Sequence, residues 1–574
     1  MKAQGEFMTK NEDLGPRENP WLTQLLSAYP GAPHGNKETR GLDSDFAVQT
    51  YVRTRLDDVL RDAILSGGVR LVILFGNAGD GKTAFLQNLA RSLGRTEVHS
   101  AEQIWQMTLP DGRCLQANQD GSAAWRGQRA DDLLDPLLKP LQNGDMPPDA
   151  VRIVAINSGK LLEWLERQDS LSRTGQQLKR MLMDEGTTLD ERVRLIDLNQ
   201  RSLVGGFDAD DGRWSTNFLD TLLDRFLDGP GEDPWAVCGG CSAASRCTAL
   251  RSVRMLKDDA GGPLIRQRFT LALQACHQRG EVHITARELR AVLSYVFFGV
   301  HTCSDLHQAP SLVPDGFWQR SFDADSAHRQ GDLLAELARL DPALECDPDQ
   351  DRTLRQHPQV ASSPAGLAEA RRRAWLGGLE DMDPTGITLT HGRHFDRFRR
   401  VRIMSAPELQ TLTQELCLGI AHLEDLPTLA LDKTHLAAGV PLRIAPRTPT
   451  ETVLWVSKPW DRFRLEAVMP AAALGLEALH THVRLIYRGA HGRDDVLAMG
   501  LELFHLLLEL RAGVQLSGVA QEGIFANLEV YTRRLASEDT RELFGWHPGD
   551  EHSLFRIRVT AVDGVQTIER EVLR

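Results

Sequence analysis

Eight consecutive residues have types and spacing that suit phosphate binding. They are Gly76, Asn77, Ala78, Gly79, Asp80, Gly81, Lys82 and Thr83. Together they satisfy the pattern G-x-x-x-x-G-K-[ST] at every fixed position. The glycines allow the backbone to approach phosphate oxygens closely, and N–H groups at a helix start attract anions. Lys82 would contact the β- and γ-phosphates and Thr83 would bind Mg²⁺, so the segment predicts a site for ATP and Mg²⁺.

The residues around this segment predict the elements that must hold it. Residues 71–75 are all apolar, as in a strand buried on both faces, and residues 84–90 have helical spacing. Three later segments look like strands: 113–120, 151–157 and 192–199. Helical patterns at 127–141 and 159–182 separate them, and this alternation predicts a parallel sheet.

Polar side chains end the predicted strands, where parallel strands would bring them to one edge of the sheet. Asp120 and Asp197 are both candidates for the carboxylate that holds Mg²⁺, and Asn157 ends the strand between them. Strand order alone favours Asp120 over Asp197. The alternative for either carboxylate is a solvated strand end or a helix cap.

In its order of motifs, the segment of residues 38–300 resembles the AAA+ branch of P-loop ATPases. The resemblance implies that Lys82, Asp120 and Asn157 act in catalysis, Asp120 as the Walker B residue and Asn157 as sensor 1. It also implies a nucleotide-contacting loop and helix within 39–66, and a second sensor at Arg287 or Arg290. The family's acidic pair is incomplete, because Gly121 stands where the catalytic Glu belongs. Slow hydrolysis is therefore expected.

A cysteine cluster follows the predicted helix 214–228. Cys238 and Cys241 flank two glycines, as in a zinc knuckle, and Cys247 follows six residues later. Thiolates suit Zn²⁺ in a closed tetrahedral site, so we predict structural zinc, with free thiols as the alternative. The candidates for the fourth ligand are Cys276, His277, His283 and Cys303.

A basic stretch in the second half is a candidate for partner contact. Its arginines are Arg393, Arg397, Arg399, Arg400 and Arg402, and aromatic residues lie among them. Such a stretch would bind nucleic-acid phosphates, or supply an arginine to the nucleotide site of a neighbouring subunit. The alternative is a helix with buried aromatics and solvated arginines.

The domain organisation follows from these patterns. We predict residues 1–37 as an expression-tag remnant and extension, 38–210 as the P-loop core, 211–303 as a helical lid, 304–438 as mainly helical and 439–574 as an α+β domain. Predicted strands lie at 441–444, 452–456, 463–468 and 483–487, helices at 495–512 and 524–536, and a strand pair within 553–571. The fold class is α/β in the P-loop core, followed by helical and α+β parts.

Composition limits the class of protein. The 574 residues are 41 % hydrophobic and 25 % charged, which is typical of a soluble globular protein. The net charge is −13, so we expect no overall electrostatic attraction to nucleic acid. No apolar run reaches the roughly 18 residues that span a membrane. Eight cysteines do not form a disulfide framework, and a cytoplasmic location is expected.

Three functions compete at this point. The first is an AAA+-like ATPase that couples ATP binding or hydrolysis to a partner protein or to other copies of the chain. The second is a slowly hydrolysing, nucleotide-gated sensor, and the third is a DNA-binding scaffold. The loop, the cysteine knuckle and the long second half are similar to ATPase components of bacterial antiphage and DNA-modification-dependent restriction systems, which implies a role in antiviral defence.

Overall fold

The structure is a computed structural model. It describes residues 16–29, 41–96, 98–183, 188–208, 211–229, 231–323, 331–345, 347–361, 366–377, 387–390, 392–424, 426–444, 452–470, 475–489, 492–514, 522–538, 542–547, 554–562 and 565–573. The chain divides into two compact units. The first comprises Met1–His277, Glu281–Thr390 and Pro470–Leu479, and the second comprises Gln278–Gly280, His391–Met469 and His480–Arg574.

A five-stranded sheet forms the centre of the first unit. Its strands are β1 (Leu71–Phe75), β2 (Ile104–Thr108), β3 (Cys114–Asn118), β4 (Ala150–Ile156) and β5 (Val193–Asp197). Their order is β2-β3-β4-β1-β5, in which β3, β4, β1 and β5 are parallel and β2 is antiparallel to β3.

The sheet differs from the predicted one at its edge. The three predicted strands are present as β3, β4 and β5 and are parallel to β1 or to one another, as predicted, but the sheet is mixed because β2 is antiparallel to β3. Strand β2 is short and lacks the continuous apolar run of a central strand, because most of its side chains lie partly or fully exposed at the edge of the sheet.

Helices cover both faces of this sheet. They are α3 (Arg55–Leu65) and α4 (Lys82–Ser92) on one face, and α5 (Ala130–Asn143), α6 (Ser158–Glu166) and α7 (Arg173–Leu182) on the other. Two further helices, α1 (Pro20–Leu26) and α2 (Asp45–Gln49), precede them in the chain. Val72 and Leu74 of β1 pack with α3 and α4 in one core. Leu71 and Ile73 point the opposite way and pack with α5, α6 and α7. The strand is therefore buried on both faces, as its uninterrupted apolar sequence predicts.

The rest of the first unit is mainly helical. Its helices are α8 (Asn217–Asp228), α9 (Thr248–Lys257), α10 (Gly262–Arg279), α11 (Ala286–Phe298), α12 (Cys303–Gln308), α13 (Phe317–Arg320), α14 (Asp332–Arg339), α15 (Pro348–Gln356), α16 (Pro358–Ala361) and α17 (Gly366–Trp375). A small sheet of order β11-β6-β7 joins β6 (Gly206–Asp208), β7 (Trp214–Ser215) and β11 (Glu477–Ala478). The predicted helix 214–228 is present as α8, and the helical region 263–300 is present as α10 and α11.

The second unit contains two antiparallel sheets. The first has the order β10-β12-β13 and the second has the order β16-β15-β14-β9-β8. The strands are β8 (Val440–Arg443), β9 (Val453–Lys458), β10 (Phe463–Ala467), β12 (Val483–Arg488), β13 (Asp494–Met499), β14 (Glu542–Trp546), β15 (Phe555–Val562) and β16 (Val565–Val572). The helices are α18 (Phe395–Arg400), α19 (Ala406–Leu423), α20 (Lys433–Ala438), α21 (Leu501–Arg511) and α22 (Glu522–Ser537).

One predicted helix of the second unit begins too early. The prediction of a helix over 495–512 was wrong at its start, because β13 occupies Asp494–Met499 and pairs with β12. Tertiary pairing outweighs local helix propensity here. The predicted strand pair is present as β15 and β16, and its predicted turn at 563–564 lies outside the described residues. In the described part of the chain, we find no helix that is both long and apolar enough to span a membrane.

Candidate functional site

The glycine-rich segment of residues 76–83 connects β1 to α4 at the carboxyl edge of the sheet. Gly79 and Gly81 have φ angles of 102° and 87°, a left-handed conformation that favours glycine. Gly81 is the N-cap of α4, and a Cβ added there would meet no atom within 4 Å. The loop therefore leaves open space beside Gly81, on the side where a Cβ would lie.

The Lys82 side chain folds over this loop. Its Nζ donates hydrogen bonds of 2.7 Å to the carbonyl oxygens of Gly76 and Asn77. Burial lowers the pKa of Lys82, while the negative charges of Asp80 and Asp120 act in the opposite direction. A phosphate would offer the ammonium stronger, charge-assisted hydrogen bonds than these carbonyls do.

Asp120 lies at the end of β3 on the side of the loop. The Thr83 hydroxyl is 3.5 Å from the carbonyl oxygen of Gln119, the residue before Asp120. Asp120 Oδ1 accepts a hydrogen bond of 3.1 Å from the N–H of Ser122. The structure thus brings Asp120 close to Lys82 and Thr83, from which it is far apart in sequence.

Asn157 caps a helix. Its Oδ1 accepts a hydrogen bond of 2.7 Å from the N–H of Lys160 at the start of α6. Its own N–H lies 3.5 Å from the Ser122 hydroxyl, two residues after Asp120. Asn157 therefore lies at the predicted edge of the sheet, and a capping role accounts for its side-chain oxygen.

Asp197 has a different environment from Asp120. Its Oδ1 accepts hydrogen bonds of 2.9 Å from both the backbone N–H and the side-chain Nδ2 of Asn199. Burial raises the pKa of Asp197, and the charge of Asp80 raises it further. The carboxylates whose charges act on Lys82 are those of Asp80 and Asp120, which favours Asp120 over Asp197 as the strand-end partner of the Lys82 ammonium.

The start of α11 packs against the loop. The N–H of Arg287 donates a hydrogen bond of 3.2 Å to the carbonyl oxygen of Gly79. A Cβ at Gly79 would lie 3.0 Å from the Thr285 hydroxyl oxygen and 3.2 Å from Arg287 Cβ. Arg287, a candidate second sensor, therefore lies at the loop, and position 79 requires glycine for its close approach as well as for its φ.

Arg290, the other candidate sensor, points elsewhere. Its Nη2 donates hydrogen bonds of 2.9 and 2.8 Å to the carbonyl and hydroxyl oxygens of Thr50. Burial lowers its pKa to about 10. We interpret Arg290 as a structural residue that holds the segment after α2 against α11.

His283 is a loop partner that sequence reasoning considered only as a zinc ligand. Its Nε2 lies 2.8 Å from Oδ1 of Asp80, whose side chain is only 4 % exposed. Burial opposes the charged form of His283, but the hydrogen bond and charge of Asp80 outweigh it, so the pKa is raised above 6.5. Glu288 and Asp197 also favour the charged form. The contact joins residues 203 positions apart, so no local pattern reveals it.

This pair predicts a pH-dependent stability. The pKa of His283 is raised in the folded state. The contribution of the His283–Asp80 pair to the free energy of unfolding is therefore complete below the unfolded pKa of 6.5 and is lost as the pH rises through the folded pKa. We expect His283→Gln to lower the free energy of unfolding more at about pH 6 than at about pH 8.5. Urea unfolding at both pH values measures this difference. His301→Gln, in the loop after α11, is the control, and a loss that is equal at both pH values would contradict the prediction.

The cysteines of the predicted knuckle line a cavity of the first unit. Cys238, Cys241 and Cys247 line it together with Cys303, one of the four candidates for a further ligand. Burial raises the pKa of the Cys238, Cys247 and Cys303 thiols. The candidates Cys276 and His277 lie on α10 and do not line this cavity, and His283 contacts Asp80.

A second candidate metal group lies in the second unit. Among the described residues, His394, His505 and Glu509 are a group whose ligand atoms all lie within 4.8 Å of one another. His394 Nε2 is 2.9 Å from Glu509 Oε1, and Arg393 Nη1 is 3.5 Å from Glu509 Oε2. Because Arg393 already neutralises this carboxylate, we interpret the group as a hydrogen-bonded His–Glu pair.

The basic stretch forms α18 and its flanks, with Phe395 and Phe398 buried. Four of its five arginines pair with nearby acids: Arg393 with Glu509, Arg397 with Glu415, and both Arg399 and Arg400 with Asp396. Three carboxylates therefore offset much of the positive charge, which favours the interpretation of a solvated helix face with a buried aromatic side.

We accordingly expect no DNA contact from Arg393 and Arg400, two exposed arginines whose side chains are 64 % and 48 % exposed. Arg393→Ala and Arg400→Ala should leave any affinity for duplex DNA, and its salt dependence, unchanged. Fluorescence anisotropy at two salt concentrations measures both. A salt slope reduced by about one per alanine would instead identify phosphate contacts.

Restored ATP turnover on mixing either variant with a Lys82→Ala chain would identify an arginine that acts on a neighbouring subunit.

Comparison with known proteins found no match, either to a family model, to a curated protein or to a solved structure.

Proposed function

We propose that this chain binds ATP with Mg²⁺ at residues 76–83 and is an AAA+-like ATPase of slow turnover. The observation that carries the proposal is the position of Lys82 and Thr83. Both begin α4, which residues 76–81 connect to the buried strand β1. There is open space beside Gly81, and the charge of Asp120 acts on Lys82. In a parallel sheet, ligands bind at the carboxyl ends of the strands where the strand order reverses, and β1 lies between β4 and β5 at such a point.

The residues present fit the triphosphate and its metal. The N–H groups of residues 79–83 would hold phosphate oxygens, and Lys82 would exchange its two carbonyl partners for them. Thr83 and Asp120 offer the hydroxyl and carboxylate oxygens that Mg²⁺ prefers. Bound Mg²⁺ would neutralise charge on the phosphates during transfer to water. Asn157 and Ser122, which are in contact at the same edge, would orient that water.

Slow turnover follows from position 121. A Cβ added to Gly121 would lie 2.8 Å from Leu134 Cδ2 and 3.2 Å from the Ala155 carbonyl oxygen. The site therefore has no room for the glutamate that the family carries beside its Walker B aspartate. Without that general base, hydrolysis would depend on residues that orient the attacking water but do not take its proton, so it would be slow. Slow hydrolysis supports a nucleotide-gated sensor as the second candidate function.

The coupled partner is the least constrained part of the proposal. Contacts between α11 and the loop give the helical region a direct means of responding to the nucleotide. Assembly with other copies of the chain, action on a partner protein and a role in antiphage defence all stay predictions.

Calorimetric titration of the full chain with ATP tests the proposal. We expect one ATP per chain, tighter binding with Mg²⁺ than with a chelator, and turnover well below once per second, the low end for common enzymes. Native mass measured with and without ATP reports assembly. Absence of ATP binding in the presence of Mg²⁺ would refute the proposed function.

A further inference from the structure

Four of the eight cysteines of the chain lie around one cavity of the first unit. Cys238 and Cys241 belong to one short turn, Cys247 precedes α9, and Cys303 is the first residue of α12. We propose that these four thiols form a structural zinc site, in which Cys303 is the fourth ligand that the sequence spacing alone leaves open. A closed set of four thiolates suits tetrahedral Zn²⁺.

Asn19 supports two of the sulfurs. Its backbone N–H donates a hydrogen bond of 3.4 Å to Cys303 Sγ, and its Nδ2 donates one of 3.4 Å to Cys238 Sγ. Asn19 is only 1 % exposed, and its Oδ1 is held by the N–H groups of Trp21 and Leu22 at the start of α1. N–H groups aimed at sulfur favour the thiolate and fix its direction, as the outer shell of a metal site does.

The other two sulfurs also have nitrogen partners. The N–H of Leu250 lies 3.5 Å from Cys247 Sγ, which caps α9. The Nε2 atom of His307 lies 3.5 Å from Cys241 Sγ. Three of the four sulfurs therefore accept from an N–H group, and the fourth lies beside a histidine ring nitrogen. Chance would rarely provide such partners at thiols from three segments.

The surroundings suit a compact anionic centre. Leu22, Trp235 and Leu250 also line the cavity, so apolar groups shield it and strengthen the bonds between ion and thiolates. Four thiolates and one Zn²⁺ carry a net charge of −2 by their formal charges. The Arg17 guanidinium, whose Nη2 lies 2.7 Å from the position that a Cβ on Gly240 would take, partly compensates this charge.

Ion binding would draw the sulfurs together. The described cysteines include no three whose sulfurs all lie within 4.8 Å of one another. Zn–S bonds of about 2.3 Å place tetrahedral ligands about 3.8 Å apart, so the turn of Cys238 and Cys241 must close toward α9 and α12. The two glycines between these cysteines give the turn the freedom to do so.

His307 is the rival fourth ligand. Its Nε2 also lies 3.3 Å from the backbone nitrogen and 3.2 Å from the backbone oxygen of Arg17. Because this nitrogen faces the main chain as well as Cys241, we assign His307 to the outer shell and Cys303 to the ion.

Zinc would then join parts of the helical region that are distant in sequence. It would link the knuckle to α12 and, through Asn19, to α1. Helix α1 and the residues after it pack on the same region. Trp21 Nε1 donates a hydrogen bond of 2.9 Å to the Phe226 carbonyl oxygen, and the Tyr29 hydroxyl donates one of 3.2 Å to the Gly299 carbonyl oxygen, just after α11. The inference is independent of ATP binding, because metal content is its readout.

Elemental analysis of the full chain tests the site. We expect one zinc per chain in the wild type, loss of most of it in Cys303→Ser, and full retention in Cys276→Ser, which changes a buried cysteine that does not line the cavity. His307→Ala should also retain zinc. Cobalt bound in place of zinc should show intense thiolate-to-metal absorption that weakens in Cys303→Ser.

A measurement on the wild type alone guards against variants that fail to fold. Addition of a strong chelator should make four further thiols reactive toward a thiol reagent. Wild-type protein without zinc, iron with sulfide in place of zinc, full zinc in Cys303→Ser, or zinc loss only in His307→Ala would each overturn the proposal.

Discussion

Lys82→Ala should weaken ATP binding by about 1.5–3 kcal/mol, or roughly 10- to 150-fold, and abolish measurable turnover. The substitution removes the ammonium that would contact the phosphates and leaves their charge without its nearest cation. In the nucleotide-free chain, Lys82 is half-buried and donates to two loop carbonyls. Its loss should change the loop locally while the hydrophobic cores around β1 stay intact.

Calorimetric titration with ATP and Mg²⁺ measures the loss. Lys139→Ala is the matched control, because it removes the same charge from an exposed position on α5. The control should bind ATP like the wild type, and both variants should melt within a few degrees of it. Unchanged ATP affinity in Lys82→Ala would contradict the assignment of the loop.

Asp120→Asn should lower ATP turnover by about 10²- to 10³-fold, the scale of removing one group that stabilises charge in a transition state. The change keeps the size of the side chain and removes the charge that would hold Mg²⁺ beside Thr83. Asp197→Asn is the matched comparison at the end of β5, where burial already raises the pKa of the carboxyl and its Oδ1 is occupied by Asn199. It should affect turnover much less.

Single-turnover hydrolysis measured at several Mg²⁺ concentrations separates the two variants. Asp120→Asn should need more Mg²⁺ and Asp197→Asn should not. The opposite ranking would assign the metal to Asp197. If both variants hydrolyse ATP at the wild-type rate, neither strand end faces the nucleotide.

The sequence by itself determined the features whose physics is local. The loop at 76–83 needs only its glycines, Lys82 and Thr83 within one short segment, so its position between a strand and a helix was predictable. Strand β4 was predictable from its mainly apolar sequence, and β3 and β5 from apolar residues that are followed by polar ones at the strand end. Strand β2 and the start of α21 were not, because an exposed edge strand and a strand that pairs with β12 lack a distinctive local pattern.

Only the tertiary structure decided which distant side chains meet. It brought the charge of Asp120 to Lys82, turned Arg290 toward Thr50 and joined His283 to Asp80 across 203 residues.

It also placed Cys303 beside Asn19, 284 residues away, and packed Leu134 against Gly121. These contacts depend on how helices pack on the sheet and on each other. Residue types and spacing specify which groups are available for chemistry, and long-range packing selects those that act together.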